Sequence, residues 1–136
     1  MEIFEQTAAG AVSEKSPPRR ISIVDDDASI REALKSLMRS VRIDADAFGS
    51  AEEFLASTSA QSAECLILDV YLPGMSGFEL QNRLNVERRQ IPVIFITAHA
   101  DEASRQRALD SGAIELLGKP VRRETLFKAL RKAFAR

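Results

Sequence analysis

From about Arg19 onward, short apolar runs alternate with longer segments whose apolar residues recur every three or four positions. The runs fall at 20–24, 43–48, 64–69, 92–97 and 113–117 and predict five strands. Their nearly continuous apolar character marks strands covered on both faces. The first helical segment carries one clear stripe, Ile30, Leu34, Leu37, Met38 and Val41, with Arg31, Lys35 and Arg39 on the wet side. Two further segments open on capping boxes, Ser50 with Glu53 and Ser76 with Glu79, in which each side chain satisfies the other residue's free N–H. The fourth, 101–111, offers only Ala103, Ala108 and Leu109 to a core and is expected to be the most loosely held element. The fifth, about 122–135, is expected to bury Leu126, Ala129, Leu130, Ala133 and Phe134 and to turn Arg122, Arg123, Lys128, Arg131 and Lys132 to water. Strands alternating with helices in this way predict an α/β fold, a doubly wound five-stranded parallel sheet.

Residues 1–18, with Gly10, Ser13, Ser16, Pro17 and Pro18, show no such period. The expectation is a flexible leader over 1–18 followed by one folded domain over 19–136. A chain of 136 residues is long enough for a self-sufficient core. A net charge of −1 supplies no broad basic surface to displace counterions, so direct nucleic-acid binding is not expected. The basic side of the fifth helix therefore reads as a solvated face. The lone Cys65 excludes an internal disulfide and sits in an apolar run as a small core residue. No apolar stretch approaches the ~20 residues of a membrane span. The N-terminus lacks a basic head followed by an apolar block, so a secretory signal is not expected and the setting reads as cytoplasmic.

Polar groups gather where the strands end. Asp25, Asp26 and Asp27 follow the first run, Asp69 the third and Thr97 the fourth, and Lys119 follows the fifth. In an alternating α/β chain those ends share one edge of the sheet, where such folds place ligands. One acid suffices to cap the next helix, and Asp27 is the candidate. The surplus calls for a cation, because clustered carboxylates cannot all stay ionised cheaply without one. Mg²⁺ needs only one or two carboxylates plus other oxygens. Asp26 and Asp69 are candidates for direct ligands, the Tyr71 backbone carbonyl for a third, and Asp25 for holding a metal-bound water; Mn²⁺ is an acceptable substitute. Asp69 then reads as a nucleophile toward phosphorus, with the Lys119 ammonium and Thr97 hydroxyl on the phosphoryl oxygens.

The chain resembles the receiver domain of two-component response regulators over roughly 19–136. The matching pieces are Ile23-Val24-Asp25-Asp26-Asp27, Leu68-Asp69-Val70-Tyr71-Leu72-Pro73-Gly74-Met75-Ser76-Gly77, Ile96-Thr97-Ala98-His99, Gly112-Ala113 and Lys119-Pro120. The loop after Asp69 and the Ile-Thr-Ala-His segment are most similar to receivers of the nitrogen-fixation regulator family. The resemblance implies a flavodoxin-like sheet in the order 2-1-3-4-5 and Asp69 as phosphoacceptor. It also implies Asp25 and Asp26 as the acidic pair for Mg²⁺, Thr97, Ala98 and Lys119 around the phosphoryl group, and a cis bond before Pro120. The implied partner is a histidine kinase or histidine phosphotransfer protein, with a homodimer through helix four, strand five and helix five as a further possibility. The protein would be no enzyme beyond its own Mg²⁺-dependent phosphorylation and slow autodephosphorylation. The sequence fits a stand-alone receiver and the receiver portion of a longer regulator equally well.

One position departs from the family pattern. Three residues before Lys119 the family carries an aromatic switch residue, and here that position is Leu116. Without a ring to swing, the switch is expected to act mainly through helix four and its leading loop. Tyr71 and His99, each two residues past a site residue, are expected to flank the path of water to phosphorus and set the phosphoryl lifetime. A nucleotide-binding domain would want a Gly-rich turn where this chain has three acids. A haloacid-dehalogenase-type phosphatase would want an acid at 71, which is Tyr. A receiver-shaped docking module that is never phosphorylated is the remaining alternative.

Overall fold

The computed structural model describes residues 19–136; the expected leader over 1–18 lies outside the described residues. Five strands, β1 (Arg19–Val24), β2 (Ile43–Phe48), β3 (Leu66–Asp69), β4 (Val93–Thr97) and β5 (Glu115–Gly118), form one sheet in the order β2-β1-β3-β4-β5. All four pairings are parallel. The helices are α1 (Ala28–Ser40), α2 (Ala51–Ala56), α3 (Gly77–Val86), α4 (Glu102–Asp110) and α5 (Arg123–Phe134), with a 3-10 turn at Ser59–Ser62.

The two sheet faces hold separate cores. Ile21, Ile23, Ile67, Ile94, Ile96 and Leu117 point to one, where α1 brings Leu34 and Met38 and α5 brings Leu126, Phe127, Leu130 and Ala133. Val24, Leu66, Leu68, Phe95 and Leu116 point to the other, under Phe54 of α2, Phe78, Leu80 and Leu84 of α3, and Ala108 of α4. Successive residues of a strand face opposite ways, so a continuous apolar run feeds both cores.

Several expectations are corrected in detail. β3 starts at Leu66 and not at 64, because Glu64 and Cys65 bond to β1 through single contacts before the regular ladder begins. β5 occupies 115–118 rather than 113–117. The box at the start of α2 is only half formed: Ser50 Oγ accepts from Glu53 N at 3.1 Å, but Glu53 Oε1 reaches past Ser50 to Gly49 N, also at 3.1 Å. That at α3 is complete. Leu109 is 44 % exposed and leaves Ala108 as the one buried residue of α4. Phe127 joins the buried side of α5, whereas Phe134 is only partly covered.

Candidate functional site

The site is built at the C-terminal edge of the sheet by residues just past four strands. Asp25 is fully buried. Its N–H donates to Phe48 O at 3.1 Å, its Oδ1 accepts from Asp27 N at 2.8 Å, and its carbonyl accepts from Arg31 Nη1 at 2.8 Å. Asp27 is the N-cap of α1, accepting from Ser29 N at 2.8 Å and Ile30 N at 3.4 Å. Asp26 between them is exposed. At the end of β3, Asp69 is 4 % exposed and its Oδ1 accepts from Tyr71 N at 3.2 Å. Oxygens of Asp25, Asp26 and Asp69 all lie within 4.8 Å of one another.

One cation answers two of these acids. Lys119 Nζ stands 2.9 Å from Asp25 Oδ2 and 3.0 Å from Asp69 Oδ2. Its backbone N–H donates to Thr97 O at 2.8 Å, and the bond to Pro120 is cis. Burial pushes the Asp69 carboxyl above its ordinary range; the Lys119 hydrogen bond works against this and the Asp25 charge with it. Burial alone would lower the Lys119 ammonium, but the two carboxylates outweigh it and the net shift is upward. Toward Asp69 the ammonium makes an aligned hydrogen bond. Toward Asp25 Oδ2 it supplies charge without alignment, and that buried oxygen has no hydrogen-bond donor. Three oxygen-bearing acids, one of them exposed and one with an unsatisfied buried oxygen, fit a hard divalent cation.

The remaining expected residues surround this cluster. Thr97 is fully buried; its Oγ1 accepts from His99 N at 3.1 Å, which leaves the hydroxyl proton to donate. Ala98 beside it is exposed. The Tyr71 and His99 rings meet edge to face, with centroids 5.9 Å apart. Leu116 is fully buried among the residues beneath α4.

Two partners had no signal in sequence spacing. Arg31 turns back from α1 to hold the Asp25 carbonyl. Glu52, exposed on α2, accepts from Met75 N at 2.9 Å and so ties the loop after Asp69 to the neighbouring helix; this N–H lowers its carboxyl below the usual range. That loop also depends on Gly77, where a Cβ would stand 2.2 Å from the Asp69 carbonyl oxygen. A cavity of about 640 Å³ lies by the starts of the strands, away from the acidic cluster, and is lined by Arg19, Arg88, Arg89 and Arg136 together with Glu64.

The response regulator receiver domain family matches residues 21–131, and the chain belongs to it. It is 42 % identical over 127 residues to nodulation protein W of Bradyrhizobium diazoefficiens, covering 93 % of this chain and 56 % of that protein. It is 42 % identical over 113 residues to the response regulator protein TodT of Pseudomonas putida, covering 83 % and 50 %. The transcriptional regulatory protein FixJ of Bradyrhizobium diazoefficiens is 31 % identical over 113 residues, covering 83 % of this chain and 55 % of that protein. The chain thus spans about half the length of these curated relatives. Among solved structures, the response regulator StyR superposes with a TM-score of 0.78 at 40 % identity, covering 87 % of this chain and 60 % of that one. The FixJ N-terminal structure superposes with a TM-score of 0.77 at 30 % identity, covering 86 % and 94 %. The chain is a two-component receiver domain, related to the FixJ receivers. Among the described residues no helix is long and apolar enough to cross a membrane.

Proposed function

We propose that the unit formed by residues 19–136 takes a phosphoryl group onto Asp69 from a phosphohistidine of a histidine kinase or histidine phosphotransfer protein in the cytoplasm. The observation that carries this reading is the buried Asp69 carboxylate, gathered with Asp25 and Asp26 and hydrogen-bonded to Lys119. Asp25, Asp26, Asp69 and the Tyr71 carbonyl would hold Mg²⁺, with Mn²⁺ as a substitute. The bound ion supplies positive charge to the phosphoryl oxygens and offsets the acids that would otherwise repel them.

An oxygen of the Asp69 carboxylate attacks phosphorus; the new O–P bond forms as the P–N bond breaks, and its electron pair leaves on the donor's imidazole nitrogen. The product is an acyl phosphate on Asp69. Lys119 exchanges part of its pairing with the carboxylates for a phosphoryl oxygen, the Thr97 hydroxyl turns its proton to another, and the Ala98 N–H would serve a third. The Tyr71 and His99 rings limit the approach of water. The domain thus processes only its own phosphoryl group, and it passes the change to an output through α4, β5 and α5, the elements that would also form a homodimer.

Acetyl phosphate or beryllofluoride with Mg²⁺ tests the assignment: the intact mass, or ¹⁹F signals of the fluoride adduct, reports one modification, lost in Asp69→Asn. If wild-type Asp69 stays unmodified, the domain is a docking module instead. For the lifetime, Tyr71→Asn should speed decay of the aspartyl phosphate, and an unchanged decay rate would refute shielding.

A further inference from the structure

We infer that Arg105 is a positioning residue that couples α4 to β5 at the place where an aromatic switch residue is missing. The inference rests on the phosphoacceptor reading for its signal and on geometry alone for its resting state. Arg105 Nη1 donates to the Leu116 carbonyl at 2.9 Å and lies 3.5 Å from Glu115 Oε1. The same Glu115 oxygen accepts the Leu116 N–H at 3.3 Å. Both main-chain polar groups of Leu116 are therefore gripped by one Arg–Glu pair whose cation belongs to α4. The Leu116 side chain is wholly buried in the apolar layer and has no polar atom to report a movement. The guanidinium bonds from the helix to the strand backbone, a link that leaves the side chain at 116 free to be aliphatic.

The rest of α4 is arranged as a lever. Its only buried residue is Ala108. At its C-terminal end the Ser111 carbonyl accepts from Gln81 Nε2 at 3.2 Å and Asn85 Nδ2 at 3.1 Å, two amides of α3. Gln81 is itself buried, so this end is pinned. At the N-terminal end Asp101 Oδ1 caps the helix, accepting from Ser104 N at 2.8 Å, and the helix follows directly on the Thr97–Ala100 segment. Movement of Thr97 toward a phosphoryl group would pull the start of α4 while Ser111 holds its end. The contact in between that ties the helix to β5 is Arg105, and its release lets the helix pivot. A guanidinium–carbonyl bond beside a half-exposed carboxylate is weak enough to break in such a step and directional enough to favour one position of the helix.

The test is amide hydrogen exchange on the whole chain with Arg105→Met, which keeps most of the apolar stem and removes the donors, and Arg105→Lys, which restores one donor. Without any phosphoryl mimic, Arg105→Met should raise exchange across 102–107 by roughly threefold to tenfold, the scale of one lost hydrogen bond, leave α5 unchanged, and be partly rescued by Arg105→Lys. Unchanged exchange in α4 overturns the inference. With beryllofluoride and Mg²⁺, Arg105→Met should bind more tightly by a similar factor, because less of the resting position has to be given up. Equal affinities of variant and wild type overturn the coupling role. If neither protein takes up beryllofluoride, the phosphoacceptor reading fails, while the metal-free exchange result still decides whether Arg105 holds the helix.

Discussion

Helices α4 and α5 flank the same edge strand from opposite faces and are held to it by opposite means. Leu117 faces α5, which buries Leu126, Phe127, Ala129, Leu130 and Ala133. Leu116, its neighbour, faces α4, which buries Ala108 alone and otherwise relies on polar and cation–ring contacts: Arg105 on β5, Ser111 on α3, and Arg107 over the Phe78 ring at 4.2 Å. Apolar burial is non-directional and insensitive to charge. Hydrogen bonds and cation–ring contacts are directional, and each is worth about 1 kcal/mol or less at the surface. If Asp69 takes a phosphoryl group as proposed, its charge would re-weight the contacts of α4 and leave those of α5 in place.

The comparison breaks most visibly in the core under α5. Leu130 is fully buried, and Leu130→Ala should lower stability by about 2–5 kcal/mol in urea or thermal unfolding. A loss below about 1 kcal/mol would mean that α5 is held no better than α4.

Next in size is the effect of metal. At a hundredfold excess over its dissociation constant, Mg²⁺ should stabilise the wild type by about 2.7 kcal/mol, and EDTA should remove the gain. Asp69→Asn should abolish it. Without metal the same variant should be more stable than wild type near neutral pH, because burial raises the Asp69 pKa and the ionised form is the disfavoured one in the fold. The sign with pH follows. Relative to an ordinary value of 3.8, the raised pKa gives metal-free protein a contribution fully present below that value and lost as pH rises through the folded-state pKa. Mg²⁺ needs the ionised carboxylate, so its stabilisation should grow over the same rise. Thermal melts from pH 4 to 7 with and without Mg²⁺ check both slopes; parallel curves would remove Asp69 from the metal site.

What the sequence made legible divides along the same line. The strands, the buried stripe of α1 and the core of α5 announce themselves because apolar burial is periodic. The gathering of Asp25, Asp26, Asp69 and Lys119 was readable because parallel topology carries all strand ends to one edge, so charge at those ends has to meet. Polar contacts between elements left no such trace. Arg105 to Leu116, Gln81 to Ser111 and Glu52 to Met75 join residues with no fixed spacing, through long side chains whose direction only the fold decides. Glu53 shows the same limit at short range: a carboxylate three residues past a cap can reach the N–H before it as readily as the cap's own. Leu109 failed for the reverse reason, since a helix with so few large apolar residues has no period to say which of them faces inward.

The smallest expected effects fall on α4 itself. Arg107→Ala removes the guanidinium from the Phe78 ring and should cost about 0.5–1 kcal/mol, read as faster amide exchange in α4 with little change in global unfolding. Leu109→Ala should change global stability by no more than about 0.5 kcal/mol, because 44 % of the side chain already faces water and no cavity forms on its removal. The pair sharpens the contrast, since the polar residue should matter more than the apolar one two positions on. Should Leu109→Ala prove the more costly, α4 would be held by a hydrophobic contact after all. Its position would then answer to packing, and a phosphoryl charge at Asp69 would have little purchase on it.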